Sequence, residues 1–388
     1  MCATILLALL GVWNAAGATI PQQNVEEQNE FFEKYWGTEF EWRFDELPTQ
    51  GTVPEYRVPY SGYIYPDRSG GTVGPMRKYD QAFHGGQFPA AIWEQRDNAA
   101  YSKPTSQRAG LFGRRQSTVM QIPNWHGHCN GWAAAAIRHA EPQNSVTRNG
   151  VVFTPADIKG LLAEIYIFNE ILHLAYGGYQ MNAGLFHAVI TNWLGRGGHP
   201  IGMDADPGRE RWNYPIYGYA ISSARRSDRE VVVRMNLVNA RDTNREYQQS
   251  PRYSRTRQFH YVLNLDSEGR IIGGSFYRDS ARIALLWMPL RPKPGREPGN
   301  ERGNPHLDID EVLAIWRDSV SEEMRQKWPT IDPPIHDRVL NKDLLTGLIP
   351  VQDPYGTAEP EQLADANDLV ELPASNDPSE STENALSN

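Results

Sequence analysis

Cysteine is nearly absent from this sequence: in 388 residues it occurs twice, as Cys2 and Cys129. A disulfide framework of the kind that staples small secreted domains is therefore excluded, because two thiols allow one bridge at most. No Asn-x-Ser/Thr sequon is present either, so the chain offers no N-glycosylation acceptor. No run of Lys or Arg interleaved with aromatics occurs, which argues against a nucleic-acid surface. No apolar stretch approaches the roughly 20 residues that a membrane-spanning helix requires. The net charge of −9 suggests an acidic protein, yet residues 351–388 hold nine Asp or Glu and no Lys or Arg, so the remainder is balanced. A hydrophobic content of 40% in a chain of this length supports a sizeable core.

What is present begins with "MCATILLALLGVWNAAGATIPQQ": a short apolar run from Ala3 to Trp13, then the small residues Ala16-Gly17-Ala18. Such a run is too short to span a bilayer and reads as a signal peptide over residues 1–18, which predicts a secreted, extracellular protein. Removal of that segment would take Cys2 with it and leave Cys129 as the sole thiol.

Residues 19–60 are polar and aromatic without a clear period and read as an N-terminal wrap-around segment. Residues 61–345 form the expected main domain, and 346–388 an acidic disordered tail. Within the domain, "CNGWAAAAIRHAEP" reads as a helix from Cys129, with Trp132, Ala133, Ala136, Ile137 and Ala140 recurring at three and four before Pro142. In "TPADIKGLLAEIYIFNEILHLAYGG", Thr154 is an N-cap, Pro155 opens the first turn, and the helix is expected to run on toward the glycines. "NAGLFHAVITNWLG" fits a helix better than a strand. From there to "ALLWMPL" the chain reads as short strands, with a hairpin around Asp266-Ser267-Glu268-Gly269. "DIDEVLAIWRDSV" is a further amphipathic helix. Helices first and an antiparallel sheet afterwards predict an α+β fold.

The chemistry concentrates in "NWHGHCNGWAAAA". A thiol at a helix start faces the positive end of the macrodipole, which favours the nucleophilic thiolate. A cysteine nucleophile needs a base and an orienting group. Two pairs qualify: His187 with Asp204, and His260 with Asp279 across the expected hairpin; the residues alone leave both open. The backbone N–H of Cys129, the Trp125 indole and the Asn124 side chain are oxyanion-donor candidates. Trp125 could equally be a hydrophobic lid, and Cys129 a small buried hydrophobe. His126 and His128 both precede the thiol at a spacing of two, which cannot place both on one helix face, and no second Cys or Cys/His cluster completes a four-ligand zinc site.

Three ordered blocks carry a resemblance to a known family: "WHGHCNGWA" with the downstream "EPQNSVTRNGVVFTPADIKGLL"; "FHAVITNWLG" followed by "GMDADPGRERWNYPIYGY"; and "YVLNLDSEGRIIGGSFY" with "LLWMP". Together they resemble the transglutaminase-elicitor family, calcium-dependent transglutaminases of oomycete plant pathogens. The resemblance implies a papain-like cysteine protease core with the catalytic Cys at a helix N-terminus, packed on an antiparallel sheet. It further implies protein-glutamine γ-glutamyltransferase activity, protein substrates with accessible Gln and Lys, and Ca2+ as cofactor. It favours Cys129, His187 and Asp204 as the catalytic set, with His260 and Asp279 as the alternative base and acid. The chain lacks the family's additional cysteines and has Tyr214 where the elicitor signature carries Gln. The alternatives in view are a secreted cysteine protease or glutamine deamidase, and a non-catalytic secreted effector module.

Overall fold

The structure, a computed structural model, describes residues 18–100, 103–104, 120–176, 181–205, 210–281, 283–295 and 302–327. The expected signal peptide and acidic tail lie outside the described residues.

The segment expected to wrap irregularly opens with a regular helix, α1 (Gln22–Trp36), whose Phe32, Tyr35 and Trp36 share one buried face. These rings surround Trp193, with Phe32 and Trp36 centroids 5.8 and 6.1 Å away at steep angles. Gly37 ends α1 in the left-handed conformation and donates to the Glu33 carbonyl. The segment therefore belongs to the main core. Two further helices, α2 (Val73–Phe83) and α3 (Pro89–Ala100), precede α4 (Cys129–Arg138) and α5 (Pro155–Ile165).

The α5 start is as the sequence predicts: Thr154 caps the Asp157 N–H, and Asp157 reciprocates in a capping box. Its end is not. The helix stops at Ile165, and Asn169–Tyr176 form strand β2 instead of further helical turns. The expected helix α6 (Ala183–Ile190) is present, capped by Asn182.

Eight strands build one sheet: β1 (Gln50–Thr52), β2, β3 (Ile201–Ala205), β4 (Trp212–Ser227), β5 (Glu230–Ala240), β6 (Ser254–Leu265), β7 (Ile271–Phe276) and β8 (Ile283–Pro292). The order is β7-β6-β5-β4-β3-β8-β2, with β1 paired to β4, and every pairing is antiparallel. The turn between β6 and β7 is the predicted hairpin: Asp266 accepts from the Glu268 and Arg270 N–H groups, and Gly269 takes a positive φ of 78°. Helix α7 (Ile309–Ser319) also matches expectation. The α+β arrangement read from the order of helices and strands is the observed one.

Two apolar cores result. The larger gathers the rings of α1, the whole of α6, and the inward residues of the sheet, among them Met203, Ala205, Val233 and Tyr261. The smaller lies among α2, α3, α5 and α7. Helix α4 belongs to both: Trp132, Ala136 and Ile137 enter the larger core, and Ala133, Ala134 and Ala135 the smaller. A helix buried on all sides must have small side chains where neighbours press closest. At Gly131 a Cβ would overlap the Ala163 carbonyl oxygen of α5 and stand 3.0 Å from its carbon.

Candidate active site

Helix α4 is pinned at its start from several directions. His128 N–H donates to the Ile64 carbonyl at 2.7 Å, and the Trp132 indole N–H to the Tyr60 carbonyl at 3.1 Å. The Asn130 amide donates to the Ile167 carbonyl at 2.5 Å. Cys129, the first residue of the helix, is thereby fixed with its thiol directed toward β3 and β4.

The thiol has weak polar neighbours from one short stretch. Its S–H points to the Arg211 carbonyl at 3.8 Å, and Asn213 Nδ2 donates to Sγ at 3.9 Å. Asn213 on β4 is the register partner of Asp204 on β3, so the two side chains share one sheet face. Asp204 is buried and paired with Arg211 Nη1 at 3.1 Å. The macrodipole was expected to lower the thiol pKa, but it is raised: burial disfavours the anion first, and the Asp204 charge adds to it against the opposing Asn213 contacts. The resting thiol is therefore held protonated at neutral pH.

Asp204 shares a sheet face with Asn213, and its charge acts on the Cys129 thiol, whereas His187 lies elsewhere. His187 is buried on α6, its Nδ1 hydrogen-bonded to the Tyr261 hydroxyl at 2.8 Å and its ring 5.6 Å from that of Phe44. Its described partners include neither Cys129 nor Asp204. The reason is strand alternation: Met203 and Ala205 join the core beneath α6, so Asp204 between them projects from the other face. Burial drives the His187 pKa down to about 3, which keeps the imidazole neutral. His260 fails differently. Its Nε2 accepts from Arg234 Nε at 2.7 Å across β5 and β6, and burial with that cation lowers its pKa to about 4. The Asp279 side chain lies outside those described.

Neither oxyanion candidate upstream of the thiol has a described contact with it. Asn124 is exposed, its Oδ1 accepting from Arg68 at 2.5 Å, and Trp125 stacks edgewise on His126. The amide actually at the sulfur is Asn213. Asn213 is not among the sequence-predicted site residues, although it lies in "RWNYP", within a block that carries the resemblance.

A second constellation lies beside the helix start. His128 is fully buried, its Nε2 2.9 Å from Glu164 Oε2 and 3.6 Å from Glu94 Oε1, its Nδ1 3.8 Å from Asp67. Burial alone would lower the His128 pKa, but these carboxylates raise it to about 9. Burial and the Glu164 charge push Glu94 up to about 7. Among the described residues, Glu94, His128 and Glu164 are the one group of acidic, His or Cys side chains close enough to share a cation. The calcium implied by resemblance does not fit it, since Ca2+ takes six to eight oxygen ligands and an imidazole nitrogen stands in the middle of this group. Asp204, a further buried carboxylate, is engaged by Arg211.

Residues 95–239, a span that holds the thiol, Asp204 and Asn213, match the family model described as transglutaminase elicitor. Over that span the chain is similar to that family. The solved structure of the GP42 transglutaminase from Phytophthora sojae superposes with a TM-score of 0.62 at 22% identity, over 78% of this chain and 100% of that one. At such identity the likeness shows the fold. No curated protein matches this sequence. The matched span includes the start of α4, and no described helix is long and apolar enough to cross a membrane.

Proposed function

We propose that the protein is a secreted protein-glutamine γ-glutamyltransferase with Cys129 as nucleophile. The observation that carries this reading is the Asn213 amide at a thiol fixed at the first residue of α4, on the sheet face that also carries Asp204. Sγ attacks the carboxamide carbon of a protein-bound glutamine, and the thiol proton passes by way of Asp204 to the departing nitrogen. Ammonia leaves and a thioester remains. A substrate lysine amine then attacks the thioester carbon, its proton returns to sulfur, and an isopeptide bond is released. Asn213 Nδ2 and the Cys129 N–H are the donors for the oxyanion, where losing one donor from a dry site costs about 3 to 4 kcal/mol of barrier. The assignment replaces His187 by Asp204 as proton carrier, because the imidazole is engaged with Tyr261.

Water in place of the amine would give deamidation, and a peptide carbonyl in place of the carboxamide would give proteolysis. The test is incorporation of a fluorescent primary amine into casein by the purified protein and by Cys129→Ser. Incorporation lost in the variant supports the reading. Ammonia release or casein cleavage without incorporation refutes it in favour of a deamidase or protease.

A further inference from the structure

The geometry points to a site for a divalent first-row transition cation, of the Zn2+ or Mn2+ kind, ligated by Glu94, Glu164 and His128 Nε2 behind the start of α4. The three side chains come from α3, α5 and the residue preceding α4, and all are buried. Their ligand atoms lie within 4.8 Å of one another. With metal–ligand bonds of about 2.1 Å and angles between octahedral and tetrahedral, neighbouring donor atoms stand about 3.0 to 3.4 Å apart. The observed 2.9 and 3.6 Å separations from His128 Nε2 bracket that range.

The surroundings are those of ligands held in place. Thr72 donates its N–H to Glu94 Oε1 at 3.0 Å and its hydroxyl to Glu164 Oε2 at 2.6 Å, fixing both carboxylates through one residue. On the far side of the imidazole, Nδ1 faces the Tyr65 carbonyl at 3.4 Å and the Asp67 carboxylate at 3.8 Å. A ligating histidine commonly hands its second nitrogen to such a carbonyl or carboxylate, which sets the tautomer and leaves Nε2 free for the metal.

Two buried polar side chains lack the hydrogen bonds that burial ordinarily demands. Asn98 is 4% exposed, and neither its Oδ1 nor its Nδ2 has a partner. Its amide lies beside one of the ligands: a Cβ added to Gly71 would overlap Glu94 Oε1 while standing 2.8 and 3.0 Å from the Asn98 amide atoms. A metal-bound water between Asn98 and Glu94 would satisfy it. Asp67 is 2% exposed, and neither of its oxygens accepts a hydrogen bond. Arg302 approaches Asp67 only to 3.8 Å while committed to Asp97 at 2.6 Å. Three carboxylates thus face one imidazole and a shared guanidinium, an excess of negative charge that a dication beside a neutral imidazole offsets. One imidazole with carboxylates suits Zn2+ or Mn2+, whereas Ca2+ and Mg2+ prefer oxygen throughout.

The test uses the full chain, treated with chelator, desalted, and titrated separately with Zn2+, Mn2+ and Ca2+. Calorimetry and elemental analysis after gel filtration are expected to give one Zn2+ or Mn2+ per chain, with thermal unfolding shifted upward by either ion and far less by Ca2+. Mn2+ in the site should show nitrogen hyperfine coupling by pulsed electron paramagnetic resonance. Asp67→Asn, which alters only the partner of the ligating histidine, is expected to weaken binding by about 10- to 100-fold. Glu164→Gln should abolish it, and Asn98→Asp, which adds a charged oxygen without removing a ligand, should tighten it should Glu164→Gln fail to fold. Cys129→Ser is expected to bind the metal as the parent does, so the outcome is independent of whether amine transfer is found. No retained Zn2+ or Mn2+, bound Mn2+ without nitrogen coupling, or Ca2+ bound in preference would overturn the assignment.

Discussion

Replacing Gly131 by Ala adds one methyl group, and the structure sets what that methyl meets. The new Cβ would overlap the Ala163 carbonyl oxygen, with the carbonyl carbon at 3.0 Å and the Ile167 nitrogen at 3.3 Å. Carbon contacts are most favourable at about 3.5 to 4.0 Å, so α4 and α5 must part by about 1 Å at this crossing. All three atoms are backbone, and no rotamer can turn them aside. Alanine is worth about 1 kcal/mol over glycine in a helix interior, yet overpacking of this kind costs about 1 to 3 kcal/mol and sometimes more. The clash is with main chain on both sides, so the upper part of that range applies and the net change is a loss. Because Cys129 stands two residues earlier on the same helix, a shift of about 1 Å at the nucleophile lowers turnover by about 100-fold. Urea denaturation of Gly131→Ala, read beside amine incorporation at a temperature where the variant is folded, measures both effects. A variant within about 0.5 kcal/mol of the parent, which is the range of neutral surface changes, would refute the close crossing and the account of why this helix carries small residues.

Alkylation of folded protein by iodoacetamide should rise with pH through an inflection above the ~8.5 of a free thiol, since burial raises the Cys129 pKa; an inflection at or below that value would mean the sulfur is solvated or paired with a cation. For His187, the pKa falls from an ordinary 6.5 to about 3 in the fold. The unfolded chain therefore binds the proton first, and stability present above pH 6.5 is lost as the pH falls toward 3, by at most about 1.4 kcal/mol per pH unit. His187→Gln, which keeps a partner for the Tyr261 hydroxyl, should flatten part of that acid slope in pH-dependent unfolding and leave amine transfer intact. Loss of transfer in a folded His187→Gln would return the imidazole to the catalytic role.

The elements legible in the sequence are those whose signals are local. The Thr154 N-cap, the Asp266–Gly269 turn and the α4 stripe each lie within a few residues, and each is present. Strand β2 was misread because "IYIFNEILHLAY" carries apolar residues at both helical and alternating spacing; pairing with β8, more than 100 residues on, decides it. Helix α1 was missed because its buried rings fall in its second half and the rest is polar. The place of Cys129 at a helix mouth was legible, and the structure has it as the first residue of α4. Its partners were only half so, because the choice among histidines depends on which sheet face each strand presents. The cluster around His128 was invisible for the same reason, drawing one side chain from each of four separate segments.

Because α4 is shared between both apolar cores, neither can dissolve without loosening the helix that seats the thiol. Cys129 meets β3 and β4 within the larger core, while Ala133, Ala134 and Ala135 of the same helix are held by the smaller one. On the proposed function, a disturbance of either core therefore reaches the thiol through one shared helix.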